Sequence, residues 1–384
     1  MNINKWTVAL AAAGVVSLAS VTNAQEAKET VKTLAASTTL SGYVSTSVNW
    51  TPGNKPGIAP TLHSVQKADR IALDVISLTL ASKAGEGEWA AGYKATIWAG
   101  PDAQGLQTGS IGVTAQDFAV KNAYISLRAP LGTGVDLKLG VFDTIIGYEG
   151  TDRNTNPFYS HSYGFAIEPT QHTGLLASYR VSDSISLSAG IANTTDPTIN
   201  GQASNTARKT YMAAATLTAP ESFGFLKGAS VTGGWVSGRQ DSDATTVNWA
   251  YVGGTIPLPI KDLSLGVTWD NKGIDNASDS SVIGVYLSYK VSDKLTVNAR
   301  SEYLDSGAAV AWKTSDSYSD ATSLAGAGQE IFSNTLGLDY KLWANVTSRI
   351  EYKLDTVNGS SSTPQAAGIN KHNSSVTANV IYNF

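Results

Sequence analysis

Cysteine is absent from the 384-residue chain. That excludes a disulfide scaffold, thiolate zinc sites and cysteine nucleophiles together. Charge is scarce too: Asp, Glu, Lys and Arg make up 15% of the residues, against roughly 25% in an ordinary soluble domain. With only 2 Met beside this low charge, the composition argues against a helical bundle or coiled coil, which is rich in Glu, Lys and Leu. A formal charge of −4 leaves no basic footprint for nucleic acid, so none is expected as a partner. The four histidines, His63, His161, His172 and His372, form no compact metal-ligand spacing. Neither a Gly-x-Ser-x-Gly elbow nor a Walker-type loop is present. A catalytic site would have to assemble from distant residues, such as His161 with a remote Ser or Asp. No catalytic residue, metal or cofactor is therefore expected.

Apolar runs of membrane-helix length are also missing. Met1–Ala24 reads as a secretory signal peptide: Lys5 supplies the positive start, Val8 to Leu18 the apolar stretch, and Val21-Thr22-Asn23-Ala24 the small-residue cleavage site. The apolar stretch is shorter than the roughly 20 residues a spanning helix needs. Residues 25–37 read as an N-terminal lead-in and 38–384 as a single transmembrane domain.

What the chain does have is 36 Gly, 16 Tyr and 9 Trp, and an alternation of period two. Val346, Ser348, Ile350, Tyr352 and Leu354 form one row; Thr347, Arg349, Glu351, Lys353 and Asp355 form the other. Such a two-faced strand suits a boundary between two media. About sixteen such segments recur, near 40–50, 70–82, 88–99, 117–129, 134–143, 171–181, 184–193, 208–218, 228–238, 245–257, 263–271, 279–291, 294–305, 328–341, 345–356 and 372–384. Each is close to the roughly 9–11 residues of a tilted membrane strand. In the second, the apolar row switches from Ile71 and Leu73 to Ile76, Leu78 and Leu80, which predicts a β-bulge.

Shorter and longer connections largely alternate along the chain, as periplasmic turns and extracellular loops do in a transmembrane barrel. Trp50, Trp235, Trp249, Tyr251, Trp269, Tyr303 and Tyr352 fall towards long loops on the apolar rows; Trp89, Tyr179, Tyr289, Tyr340 and Tyr382 fall beside short turns or the C-terminus. Two outward aromatic belts at the membrane interfaces follow. The expected fold is all-β, a transmembrane antiparallel β-barrel of about 16 strands with short periplasmic turns and long extracellular loops. Backbone groups in lipid must all be paired, which requires closure. At this strand number the lumen is wide enough to hold water. Lys138, Arg180, Lys290, Glu302 and Glu351 are expected on that wet inner wall.

The terminal row Val376, Ala378, Val380, Tyr382 and Phe384 resembles the last strand of bacterial outer-membrane barrels. Leu139-Gly140-Val141-Phe142-Asp143-Thr144, Gly147-Tyr148-Glu149, Tyr159-Ser160, Glu168-Pro169 and His172-Thr173-Gly174 resemble the OmpL-like β-barrel porin-2 family. That resemblance implies an outer-membrane pore for small hydrophilic solutes and ions in a Gram-negative-type bacterium. In general porins the third long loop narrows the lumen, and here that loop runs from about Asp143 to Thr170. Its charges Asp143, Glu149, Asp152 and Arg153, facing Arg300 and Arg349 on the wall, are the candidates for a constriction that filters solutes by charge. Inward Trp98, Tyr124 and Tyr286 would serve a sugar-selective variant. A closed lumen would instead make an adhesin or structural barrel. Beyond outer-membrane lipids and solutes, the partner expected is a second and third copy of the chain, seated on the small outward row Ala91, Ala95, Ala123 and Ala129.

Overall fold

In the computed structural model, residues 37–52, 67, 69–85, 87, 89–106, 108, 117–202, 208–240, 245–307, 310–311, 323–325, 328–358 and 371–384 are described. Residues 1–24, expected to be a signal peptide, and residues 25–36 of the expected lead-in lie outside them. Period-two alternation becomes strand throughout: β1 Thr38–Trp50, β2 Ile71–Ser82, β3 Ala91–Ala99, β4 Phe118–Ala129, β5 Val135–Asp143, β6 Gln171–Ser182, β7 Ile185–Ala192, β8 Thr210–Thr218, β9 Ser230–Arg239, β10 Thr246–Pro257, β11 Leu263–Ile274, β12 Ser280–Lys290 and β13 Leu295–Ser306. A small pair, β14 Val310–Ala311 and β15 Ser323–Ala325, precedes β16 Gln329–Trp343, β17 Val346–Asn358 and β18 His372–Asn383. Apart from β14 and β15, each strand pairs antiparallel with its neighbours, and β1 pairs with β18. Sixteen strands thus close into one barrel with no free edge, the condition for burying backbone in lipid.

The side-chain rows fall as the alternation predicts in most strands. In β17, Ile350 and Tyr352 are exposed on the outer face while Arg349, Glu351, Lys353 and Asp355 are buried inside. Trp50, Trp235, Trp269, Tyr303 and Tyr352 are exposed towards the long loops, and Trp89, Tyr289, Tyr340 and Tyr382 towards the short turns. The longest short-end connection contains a 3-10 turn, Glu221–Leu226.

Two departures are instructive. Trp249 and Tyr251 are not in the outer belt: both are buried, Trp249 at 6% exposure, within a cluster that includes Phe142, Ile146, Leu176, Met212 and Val236. The inside of the barrel here is filled by protein rather than water, so an apolar row can face inward, leaving Ala250, Val252 and Ile256 for the outside. Ala129, at the short-turn end of the outward small row, is buried, while Ala91, Ala95 and Ala123 remain at least partly exposed.

The predicted bulge is present. Ser45 pairs with Val75 and Thr46 with Leu73, so Asp74 is the inserted residue. A second bulge falls in β4, where Thr96 pairs with Asn122 and Ile97 with Val120, which makes Lys121 the extra residue. Both inserted residues are charged and buried inside. Each bulge thus adds one inward ion to the wall that strict alternation would not supply.

Candidate functional site

Residues 144–170, between β5 and β6, lie inside the barrel. The base of the loop closes by Thr144 N–H donating to the Thr170 carbonyl at 2.8 Å. Gly147 takes φ 109°, and a Cβ there would stand 2.2 Å from an Oε of Glu168. That left-handed turn starts the descent, and only glycine adopts it without strain. Further on, the Asn156 amide grips Gly150 through both its oxygen (3.0 Å) and its nitrogen (2.6 Å). The return arm carries a short helix, α1 (Tyr163–Ile167), whose first turn is capped by Ser162 accepting from Phe165 N–H. This helix rests on Val282, Leu304, Ile331 and Val357, inward apolar residues near the long-loop ends of four strands.

Polar anchors tie the loop across the lumen. On one side, Asp74 accepts from the Tyr159 hydroxyl at 2.8 Å, and also from Ser45, Ser47 and Lys67. Lys67 reaches on to Asp102 of a neighbouring loop, and Arg153 binds the same carboxylate. Arg153 also stacks on the Tyr159 ring at 4.2 Å. Lys121 holds both Asp143 (2.9 Å) and Asp152 (3.0 Å). On the far side, Arg300 meets Glu149 at 2.7 Å and Glu302 at 2.9 Å and donates to the Ser160 carbonyl. Glu351 accepts from the Tyr159 and Ser160 backbone N–H groups, and Glu302 from that of Tyr163. The Tyr163 hydroxyl donates to Asp355, and the Trp249 indole to the Ile167 carbonyl. The loop is a strap fastened at β2 and β4 on one wall and at β10, β13 and β17 on the other.

The strap's ionic groups are strongly biased. Burial would raise the Glu149 carboxyl, but Arg300 and His161 overcome this and hold it at about 2. Burial likewise works against the Asp102 anion, and Arg153 with Lys67 still holds its carboxyl well below the usual range. His161 is shifted down by burial, partly offset by Glu149 at 3.2 Å. Its ring stacks on Phe165 at 3.9 Å.

The residues singled out in the sequence therefore divide. Glu149, Arg153, Arg300, Glu302 and Glu351 are brought together as buried fastenings, with Arg300 only 2% exposed. Glu149 and Arg300 touch directly, so the field between them does not cross open water. Asp143 and Asp152 converge on Lys121. Arg349 sits lower, on Asp339 (2.6 and 3.0 Å) and the Asn156 carbonyl. Lys138 lies over the Tyr124 ring at 5.2 Å, with room around it. Arg180 and Lys290 stand at the short-turn rim, paired with Asp183 and Asp293 three residues on. Trp98 and Tyr286 are packed under loop segments: Trp98 donates to Ser77 and Tyr286 to Glu149. Alternation alone does not reveal Asp74, Lys67, Asp102, Tyr159, Tyr163 or Asp355 as partners. For Asp74 the bulge was the available signal.

A closed sixteen-stranded barrel with an aromatic-belted outer face and its third long loop strapped across a charged interior defines an outer-membrane porin. The family model for beta-barrel porin-2, OmpL-like, matches residues 37–384. The chain belongs to that family. Among solved structures, it is similar to in-vitro folded OmpT of Vibrio cholerae in its trimer form, at 16% identity over 90% of this chain and 99% of that one, with TM-score 0.58. It is also similar to the anion-selective porin of Comamonas acidovorans (14% identity, 91% of this chain and 99% of that one, TM-score 0.59) and to the outer membrane channel DcaP of Acinetobacter baumannii (11%, 90% and 97%, TM-score 0.57). These likenesses concern the fold. No curated protein matches the chain.

Proposed function

We propose that the strap 144–170 is the constriction of a passive diffusion channel for small hydrophilic solutes and ions, and that the chain works as a pore rather than an enzyme. The observation that carries this reading is the pattern of attachment. The strap is bonded to opposite walls through buried charges, yet Lys94, Tyr124, Lys138, Ser178, Ser188 and Thr216 on the inner face of β3–β8 stay partly exposed. Solutes would pass between the strap and this wall. Glu149, Arg153 and Arg300 set the width there by fixing the strap. Asp143, Asp152 and Lys138 contribute the charge that a solute meets. Arg349 acts nearer the periplasmic mouth.

A trimer is the assembly we favour. The Vibrio cholerae relative is described in a trimer form, and Ala95 lies directly opposite Ala123 on the outer face here. Small residues let a neighbouring barrel approach closely.

Planar-bilayer conductance of the detergent-folded protein tests the channel. Stepwise conductance is expected, and replacing residues 148–167 by a short Gly/Ser linker is expected to raise it severalfold. A linker variant with unchanged conductance would place the constriction elsewhere.

A further inference from the structure

Beneath the apex of the strap, at the periplasmic mouth, lies a cavity of about 540 Å³. That volume is within the roughly 300–1,000 Å³ of small-molecule sites. Its wall carries three cations, Lys294, Lys341 and Arg349, against one carboxylate, Asp339. Both oxygens of that carboxylate are already engaged by Arg349. Lys294 and Lys341 stand exposed at the rim, with no ion-pair partner among the described residues. Arg349 is only 4% exposed, and its Nη1 has no hydrogen-bond partner among the described residues. A buried donor left unmade is costly, the more so on an ion. With Nε and Nη2 taken by Asp339, an anion recovers that cost by a single charge-assisted bond at Nη1, which a small shift of the side chain uncovers. Asn154 and Asn298 also line the wall; Asn154 donates to Asn383 and Asn298 to the Pro157 carbonyl, which leaves each amide one further N–H for a hydroxylated tail.

We propose that this cavity is a subsite for a small carboxylate-bearing solute, of the size and chemistry of a sugar acid, held by Arg349 and drawn in by Lys294 and Lys341. The proposal deepens the channel reading and rests on it for its role in transport. It makes the periplasmic mouth a place where anionic solutes pause.

The probe is sodium gluconate, with glucose as its uncharged counterpart. Binding is read by calorimetry on the folded full-length protein in detergent, and current interruption in bilayers. Gluconate is expected to bind at least about tenfold more tightly than glucose and to interrupt current more from the periplasmic side. Arg349→Gln is expected to weaken gluconate binding by about tenfold or more. The double change Lys294→Gln with Lys341→Gln lies at exposed positions away from the strap's fastenings, so it tests the site even where Arg349→Gln fails to fold. It is expected to weaken binding about two- to fivefold at low salt, and less at high salt. Equal binding of gluconate and glucose, or wild-type affinity in the double variant, overturns the subsite. Conductance without gluconate binding also overturns the subsite and leaves the channel intact. Gluconate binding without conductance overturns the channel reading and leaves the subsite standing.

Discussion

Arg300 holds more of the strap than any other single described side chain, since it binds Glu149, Ser160 and the His161 carbonyl at once while it also meets Glu302 on its own strand. Arg300→Gln would leave two buried carboxylates without their counter-ion. Breaking a buried pair from one side costs about 3–5 kcal/mol. The expected outcome is a strap that detaches part of the time, read as larger and noisier single-channel current; quiet wild-type current in this variant would argue against the fastening role. Asp270→Asn has no such penalty, because its carboxyl hydrogen-bonds to that of Glu168 rather than to a cation. Acid should loosen the same strap. Glu149 is held at about 2 when docked, below the ordinary value near ~4.3. Its contribution is therefore complete above that ordinary value and is lost as pH falls towards 2. The docked His161 takes up a proton less readily than a released one, so docking also weakens below about pH 6.5. Both groups act in one direction. Current noise is expected to grow as pH is lowered from 8 to 4, first through His161 and then through Glu149; noise that falls over this range would contradict the assignment.

At the level of the element, the loop is built to bend before it binds. Gly147→Ala adds a Cβ at a positive φ and against the Glu168 carboxylate. The strain is worth about 1–3 kcal/mol. Faster proteolytic nicking at Arg153, with heat stability of the barrel retained, is the expected result. This division between wall and strap also explains what the sequence disclosed. Strand rows were legible because lipid on one side and water or buried polar contacts on the other impose period two, as in Val346 to Asp355. The bulge at Asp74 was legible as a broken row. The strap's placement between Asp143 and Thr170 was legible only as length and loop order. Its partners were not, because Asp74, Glu351 and Asp355 look like ordinary wet-wall residues until a loop from elsewhere lands on them. Trp249 misled for the same reason: its row reads as lipid-facing, and what covers it is the Ile167 end of the strap.

On the scale of the whole molecule, the outer face away from the Ala95–Ala123 row answers to lipid. Leu336 is exposed there midway along β16, and Leu336→Arg is expected to cost about 2–4 kcal/mol. A lower urea midpoint in lipid vesicles would register it, whereas an unchanged midpoint would mean this face is covered by something other than lipid. The interior answers to a different demand. Asp74 belongs to the second strand of the chain and Glu351 to the next-to-last barrel strand, and the strap bonds to both. Neither half of the chain can complete those bonds alone. A sheet closed one residue out of register would turn Arg300 and Glu351 towards lipid and leave the strap nothing to hold. The buried ions thus act as a proofreading device for barrel closure: only the correctly registered cylinder can neutralise them.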